Sequence, residues 1–138
     1  MAVQRSIAPE LLEVPVDGLG PTLLGGFSPS SGLHHFPQFA LCPYTGADDV
    51  APARLPRHGT LWLWTTVTAP PPGYTGSVPF GFGVVELEGG LRVVTRITET
   101  DPNALTFGMT MRLVADVVAI DADGTEIVAW AFAPKAAP

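Results

Sequence analysis

The second half of the chain alternates apolar and polar residues in short runs, as half-buried β-strands do. Turn residues, mostly glycine, proline and aspartate, separate these runs. With fifteen glycines and fifteen prolines among 138 residues, the chain is broken too often for a helical protein. The pattern predicts an all-β domain with five strands, at residues 60–67, 80–87, 91–98, 109–120 and 126–132.

The order of the predicted elements favours an OB-fold barrel. Asp101 can cap a helical turn whose first position is Pro102, and this turn lies between the third and fourth strands. Five strands with such a turn at this place are typical of an OB-fold, whereas the strand count alone also fits another small barrel or a sandwich. Residues 69–77 are rich in proline and predict a loop, because proline cannot sit in a central strand. The only other helix that the pattern allows is a short one at residues 9–14.

Two details of the strands carry further expectations. The first strand, T-L-W-L-W-T-T-V, is expected to alternate strictly, with Leu61 and Leu63 on one face and Trp62 and Trp64 on the other. Because both faces carry large side chains, both are expected to be partly covered. In the second strand, glycines at positions 81 and 83 predict a tight bend or the close approach of another backbone.

Charge and composition exclude several function classes. The net charge is −6, the isoelectric point is about 4.8, and the seven Lys and Arg residues form no cluster. Binding to nucleic acid or to an anionic membrane through phosphates requires such a cluster. A single cysteine allows no internal disulfide, and no apolar run reaches the length of a membrane span. We therefore expect a cytoplasmic protein, and the low charged fraction of 14% suggests that a partner covers part of it.

The N-terminal third contains two similar tight turns, S-P-S-S-G at 28–32 and C-P-Y-T-G at 42–46. Each has four residues before a glycine, and the turns begin fourteen residues apart. This is the spacing of a zinc ribbon with three of its four cysteines absent. The chain is thus predicted to have an N-terminal arm (1–19), a degenerate, rubredoxin-like zinc ribbon (20–50) and an OB-fold barrel (51–134).

Several short motifs, in this order and spacing, resemble one known family over about residues 24–134. They are G-x-x-x-F-P from Gly32, C-P-x-x-G from Cys42, R-H-G-T-L-W-L-W-T at 57–65, V-P-F at 78–80, V-V-E-L at 84–87, D-P-x-x-L-x-x-G-M at 101–109 and the closing F-x-P at 132–134. The chain is similar to the OB-fold and zinc-ribbon, acyl-CoA-associated proteins of the domain-of-unknown-function-35 family.

The resemblance implies a non-catalytic small subunit of a hetero-oligomeric, thiolase-fold enzyme. Such complexes include thiolases, acyltransferases and lipid-transfer-protein-like aldolases, which make or break carbon–carbon bonds on acyl-CoA or related substrates. The catalytic groups would lie on the large subunit, so this chain alone is expected to be inactive and to need no cofactor. Two alternatives stay open: a stand-alone module that binds acyl-CoA or another small ligand, and a purely structural subunit.

The four former ligand positions, by the same resemblance, are Ser28, Ser31, Cys42 and Thr45. A structural zinc site takes four thiolate or imidazole ligands, so we predict that the ribbon kept its turns and lost its metal. Its apolar residues would then hold it in place. His34 and His35 are weak substitutes, because neighbouring strand residues point to opposite faces.

Other candidate sites have simpler explanations. Arg92 and Arg96 could contact a phosphate of CoA, or form a stacking surface for single-stranded nucleic acid with the two tryptophans of the first strand. The acidic balance argues against nucleic acid. Cys42 is better explained as a former ligand than as a nucleophile. The acidic residues 116, 121, 123 and 126 lack the ligand spacing of a calcium loop.

Overall fold

The computed structural model describes residues 3–15 and 20–135, and nearly all of its regular structure is β-sheet. The strands are β1 (Gln4–Ser6), β2 (Leu12–Glu13), β3 (Thr22–Ser28), β4 (Leu33–His35), β5 (Ala51–Arg54), β6 (His58–Val67), β7 (Phe80–Leu87), β8 (Arg92–Ile97), β9 (Thr110–Ile120) and β10 (Glu126–Pro134). A single-turn 3-10 helix, Pro102–Ala104, lies between β8 and β9. Among the described residues, no helix has the length and apolar character needed to cross a bilayer.

Five strands close into the predicted OB-fold barrel. Their order is β6–β7–β8–β10–β9, and β9 returns to pair with β6. The pairing of β8 with β10 is parallel, and the other four pairings of the barrel are antiparallel. The sequence placed each of these strands correctly to within about two residues. Strand β1, from the N-terminal arm, extends the barrel sheet by pairing with β10 in parallel.

The barrel interior is filled by aliphatic side chains from alternating positions of its strands. Phe132 is the largest of the fully buried side chains. The predicted helical turn between the third and fourth barrel strands is present as the 3-10 helix, and the Asp101 carboxylate caps it by accepting a hydrogen bond from the backbone N–H of Asn103. The buried cluster comprises Leu12, Leu23, Leu55, Leu61, Val85, Leu87, Val93, Ile97, Leu105, Met111, Leu113 and Phe132.

A smaller antiparallel sheet packs on this barrel. Strand β3 is at its centre, paired with β2, β4 and β5. The buried cluster includes Leu12 of β2 and Leu23 of β3, so the two sheets share one core. The prediction of a helix at residues 9–14 is wrong. The carbonyl of Ala8 accepts from the N–H groups of Leu11 and Leu12, which makes a single turn, and the chain then extends to pair with β3.

Strand β6 departs from the strict alternation predicted for it. The pairing with β7 shifts register between Leu61 and Leu63, which marks a β-bulge. Leu61 points into the core, whereas Trp62 and Leu63 are both exposed, and Trp64 is packed against the core again. The bulge therefore presents two consecutive large apolar side chains on the outer surface of the barrel.

Candidate functional site

The two turns of the ribbon are joined by hydroxyl and carboxylate groups. The Ser28 hydroxyl donates to Asp49 Oδ1 at 2.5 Å, and the backbone N–H of Ser30 donates to Asp49 Oδ2 at 2.7 Å. The Ser30 hydroxyl lies 2.9 Å from that of Ser28 and 2.8 Å from that of Thr45. We call Ser28, Ser30, Cys42, Thr45 and Asp49 the polar clasp. It connects the first turn to the second where a zinc ribbon would place its metal.

Of the four positions predicted to be former metal ligands, three take part in this clasp and Ser31 does not. The Ser31 hydroxyl instead donates to the backbone carbonyl of Ser28 and accepts from the N–H of Leu33, so it stays within its own turn. Ser30 and Asp49 take its place. Sequence reasoning missed both residues, because neither lies at a position that the spacing of a zinc ribbon marks.

The chemistry of this cluster does not fit zinc. A structural zinc ion takes four thiolate or imidazole ligands, and the four positions here supply one thiol and three hydroxyls. Hydrogen bonds from Ser28 and Ser30 hold the pKa of the Asp49 carboxyl below its usual range, against some desolvation. Over the described residues, no group of three or more His, Cys, Asp and Glu side chains is placed to hold a metal ion.

The clasp also changes the acidity of Cys42. Desolvation raises the pKa of this buried thiol, but hydrogen bonds from the Ser28 and Thr45 hydroxyls and the backbone N–H groups of Tyr44 and Thr45 lower it to about 6. The structure places the single hydroxyl proton of Ser28 on Asp49, so the Thr45 hydroxyl and the two backbone N–H groups are the donors that Cys42 does not share. A pKa of about 6 predicts a thiolate for Cys42 at neutral pH.

A pH series should reveal this thiolate. The pKa of Cys42 is lower in the folded state than in the unfolded state, so ionisation of this thiol stabilises the fold. This stabilisation is complete above the unfolded pKa near 9 and is lost as the pH falls through about 6. The free energy of unfolding of the wild-type protein should therefore rise as the pH is raised from about 6 to 9, and that of Cys42→Ser should rise less. Urea unfolding at several pH values measures the difference. Equal slopes for the two proteins would show that Cys42 stays a neutral thiol.

The two histidines lie on opposite faces of β4, as the sequence predicted. His34 is exposed and its ring contacts Phe27, whereas His35 is buried and stacks on Phe39. The Nε2 atom of His35 accepts a long hydrogen bond from the backbone N–H of Phe39, and its Nδ1 atom has no partner among the described residues. His35 is thus a packing residue of the ribbon.

Arg92 and Arg96 both lie on the outward face of β8, with Val94 between them. Arg92 Nε donates to Glu86 at 3.1 Å, and its guanidinium stacks 3.9 Å from the centre of the Trp62 ring. Arg96 Nε donates to Asp116 at 3.0 Å, and its guanidinium lies over the Phe80 ring. Each positive charge is matched by a carboxylate, so this face is not the basic surface that nucleic acid would require.

The acidic residues near the fourth strand do not converge. Asp116 pairs with Arg96, and Asp121 pairs with Arg5. Asp123 accepts from the backbone N–H of Thr125 within its own turn, which lowers the pKa of that carboxyl. Glu126 accepts from the side-chain amide of Gln4. Each has its own local contact, which supports a solvated turn and not a calcium site.

An apolar groove of about 590 Å³ lies where the arm and the ribbon meet the barrel. Ile7 and Leu11 of the arm form one wall, and Phe36 and Pro37, which follow β4, form another. The outward faces of β7, β8 and β10 form the floor, which includes both arginines. Sequence reasoning did not find this groove, because its walls are far apart along the chain.

Two curated relatives match this chain over most of its length. A curated relative from Pyrococcus furiosus, a "DUF35 domain-containing scaffold protein", is 28% identical over 81% of this chain and 82% of its own length. Another, "Benzoylsuccinyl-CoA thiolase subunit BbsA" from Thauera aromatica, is 27% identical over 90% of this chain and 84% of its own length.

A solved structure and a family model support the same fold. The "Ltp2-ChsH2(DUF35) aldolase" structure aligns with a TM-score of 0.64 and 21% identity, covering 82% of this chain and 84% of the matched one. The family model described as "ChsH2, C-terminal OB-fold domain" matches residues 53–116, which include strands β6, β7 and β8 and the first part of β9. Together with the two curated relatives, this match confirms the resemblance to the domain-of-unknown-function-35 proteins.

Proposed function

We propose that this chain is a non-catalytic small subunit of a hetero-oligomeric, thiolase-fold enzyme that acts on acyl-CoA or a related thioester. The observation that carries the proposal is near full-length similarity to a protein named as a thiolase subunit and to one named as a scaffold protein. The chemistry of the chain supports it. The lone thiol is buried in the polar clasp, and the hydrogen-bond partners described for it are Ser28, Tyr44 and Thr45 and not a histidine. We place the complex in the cytoplasm, since one cysteine forms no internal disulfide.

The large subunit would contact the outer face of the barrel at a row of exposed apolar side chains. The register aligns Leu63, Val84 and Val94 in one row across β6, β7 and β8. Leu63 is 46% exposed and Val94 56% exposed, and the bulge adds the ring of Trp62 beside them. Contiguous exposed apolar side chains of this kind mark interaction sites. We call Trp62, Leu63, Val84 and Val94 the apolar row.

Co-expression tests the proposal. The chain should form a stoichiometric complex with a thiolase-superfamily protein encoded in the same genome, most simply the product of a neighbouring gene. The complex should turn over an acyl-CoA, and the isolated chain should not. Size-exclusion chromatography and thioester consumption measure the two properties. Turnover by the purified chain alone would overturn the proposal.

A charge in the apolar row should break the complex. In Leu63→Glu, an interface would bury an unpaired carboxylate. A tenfold loss of affinity corresponds to about 1.4 kcal/mol, and the free-energy cost of burying this charge is larger. Association should weaken by more than about tenfold, with the folded barrel retained because Leu63 is half exposed. Ile120→Glu, at an exposed position at the end of β9, is the matched control. Equal binding by both variants would exclude the apolar row as the interface.

Arg92 is the better candidate of the two arginines for a CoA phosphate. Its side chain is 52% exposed, against 18% for Arg96. A guanidinium has five N–H donors, so Arg92 can keep Glu86 and still donate to a phosphate oxygen. Arg96 is enclosed by Asp116, Phe80 and Tyr74. We therefore propose a structural part for Arg96 and a ligand contact for Arg92.

A further inference from the structure

We propose that the polar clasp, with the Asp49 carboxylate at its centre, takes the structural role of a zinc ion and holds this ribbon closed without any metal. The inference starts from a disagreement between the fold and its residues. Two turns are present at the spacing of a zinc ribbon, but their side chains do not suit zinc. It concerns how the chain holds its own structure, so it does not depend on the proposed function.

The backbone of each turn fixes its own shape. In the first turn, the N–H groups of Ser31 and Gly32 donate to the Ser28 carbonyl, and in the second the N–H of Gly46 donates to the Cys42 carbonyl. The two glycines have positive φ angles of 69° and 79°, which suit glycine and few other residues. What the ribbon needs from its side chains is therefore a link between the two turns.

Asp49, which follows the second turn, provides that link. One carboxylate oxygen accepts from the Ser28 hydroxyl, and the other accepts from the backbone N–H of Ser30. Because the second donor belongs to the backbone, the contact holds the turn itself and not only a side chain. The Ser30 hydroxyl lies 2.8 Å from the Thr45 hydroxyl, which joins the first turn to the second again. A charged acceptor with several lone pairs can thus bind one turn at two points, as an ion would.

Burial makes this link difficult to replace with water. Ser28 is fully buried and Cys42 is only 2% exposed. A buried hydroxyl that loses its partner costs free energy, because no solvent reaches it. Asp48, the neighbouring carboxylate, is exposed and lies outside the clasp. The chain therefore supplies its own matched control for Asp49.

Metal analysis of the full-length protein, produced in cells supplied with zinc, is the first test. We expect no stoichiometric zinc, and a chelator should leave Cys42 protected. Cys42 is the only cysteine in the sequence, so its reaction with a thiol reagent reports the opening of the ribbon. Stoichiometric zinc, or a thiol that becomes reactive in the chelator, would overturn the inference.

Substitution of the carboxylate is the second test. Asp49→Ala should raise the labelling rate of Cys42 about tenfold or more, because losing a charge-assisted hydrogen bond shifts an opening equilibrium by that amount. Asp48→Ala removes the same charge and should label at the wild-type rate. Asp49→Asn keeps one acceptor oxygen, so its rate should lie between these two. Rates measured in denaturing urea correct for the reactivity of the free thiol.

Hydrogen exchange shows whether the effect is local. In Asp49→Asn, which serves even if Asp49→Ala does not fold, the N–H groups of Ser30 and Gly46 should exchange faster. The barrel strands should keep their wild-type rates. Equal labelling of the Asp48 and Asp49 variants, or the same acceleration in ribbon and barrel, would show that the clasp does not hold the ribbon closed.

Discussion

A valine in place of Gly83 should prevent the barrel from closing. Gly83 of β7 pairs with Trp64 of β6, and a Cβ atom there would overlap the carbonyl oxygen of Leu63. It would also lie 2.9 Å from both Trp64 Cα and Ile97 Cδ1. A flexible side chain could move away, but the backbone of a paired strand cannot. Overpacking in a core typically costs about 1–3 kcal/mol, and the loss of stability in Gly83→Val should be larger.

The expected result for Gly83→Val is an unfolded or aggregated chain, or a much lower urea midpoint. Thr65→Val is the control, because Thr65 is exposed on the facing strand and the substitution also places a valine in the sheet. Circular dichroism and urea titration compare the two. A Gly83→Val protein as stable as the control would mean that β6 can move away from β7 at this point.

This prediction bears on function because Gly83 lies beside the β-bulge. The register shift between Leu61 and Leu63 occurs in β6 next to the residues that Gly83 contacts. Close approach of the two backbones fixes the shape of the strand pair, and the bulge turns Trp62 and Leu63 outward. The glycine thus supports the apolar row from the inside of the barrel.

The barrel could be predicted from sequence because its signals are local. Period-two patterning and turn residues locate each strand, and Asp101 with Pro102 starts the helical turn through contacts within a few residues. The two glycines of β7 likewise predicted a close backbone approach, and the structure confirms it. Such features depend on neighbouring residues and are visible in a single sequence.

The remaining features depend on distant contacts. The bulge in β6 arises from pairing with β7, so the run of alternating residues gave no sign of it. Asp49 joins Ser28 across 21 residues of sequence, and β1 pairs with β10 across about 120. In the arm, one turn of helix gives way to strand because Leu12 gains more by burial beside Leu23. The groove likewise brings together the arm, the segment after β4 and the barrel face, which are far apart in the sequence.

The second large effect should come from Phe132→Ala. Phe132 is fully buried and lies between Ile97 of β8 and Leu113 of β9, at the parallel pairing that completes the OB barrel. Removing a buried phenylalanine ring typically costs about 3–5 kcal/mol, since a cavity remains. Small domains are stable by only about 5–15 kcal/mol, so the isolated variant should be close to unfolding.

Urea titration of Phe132→Ala should show this loss, whereas Phe107→Ala, whose ring is largely exposed, should stay within about 0.5 kcal/mol of wild type. A partner that binds only the folded state should recover part of the loss, about 2.7 kcal/mol at a hundredfold excess over Kd. The large subunit should therefore raise the unfolding midpoint of Phe132→Ala. If it stabilises wild type and Phe132→Ala but not Leu63→Glu, then the fold of the barrel and its contact surface are separable properties of this subunit.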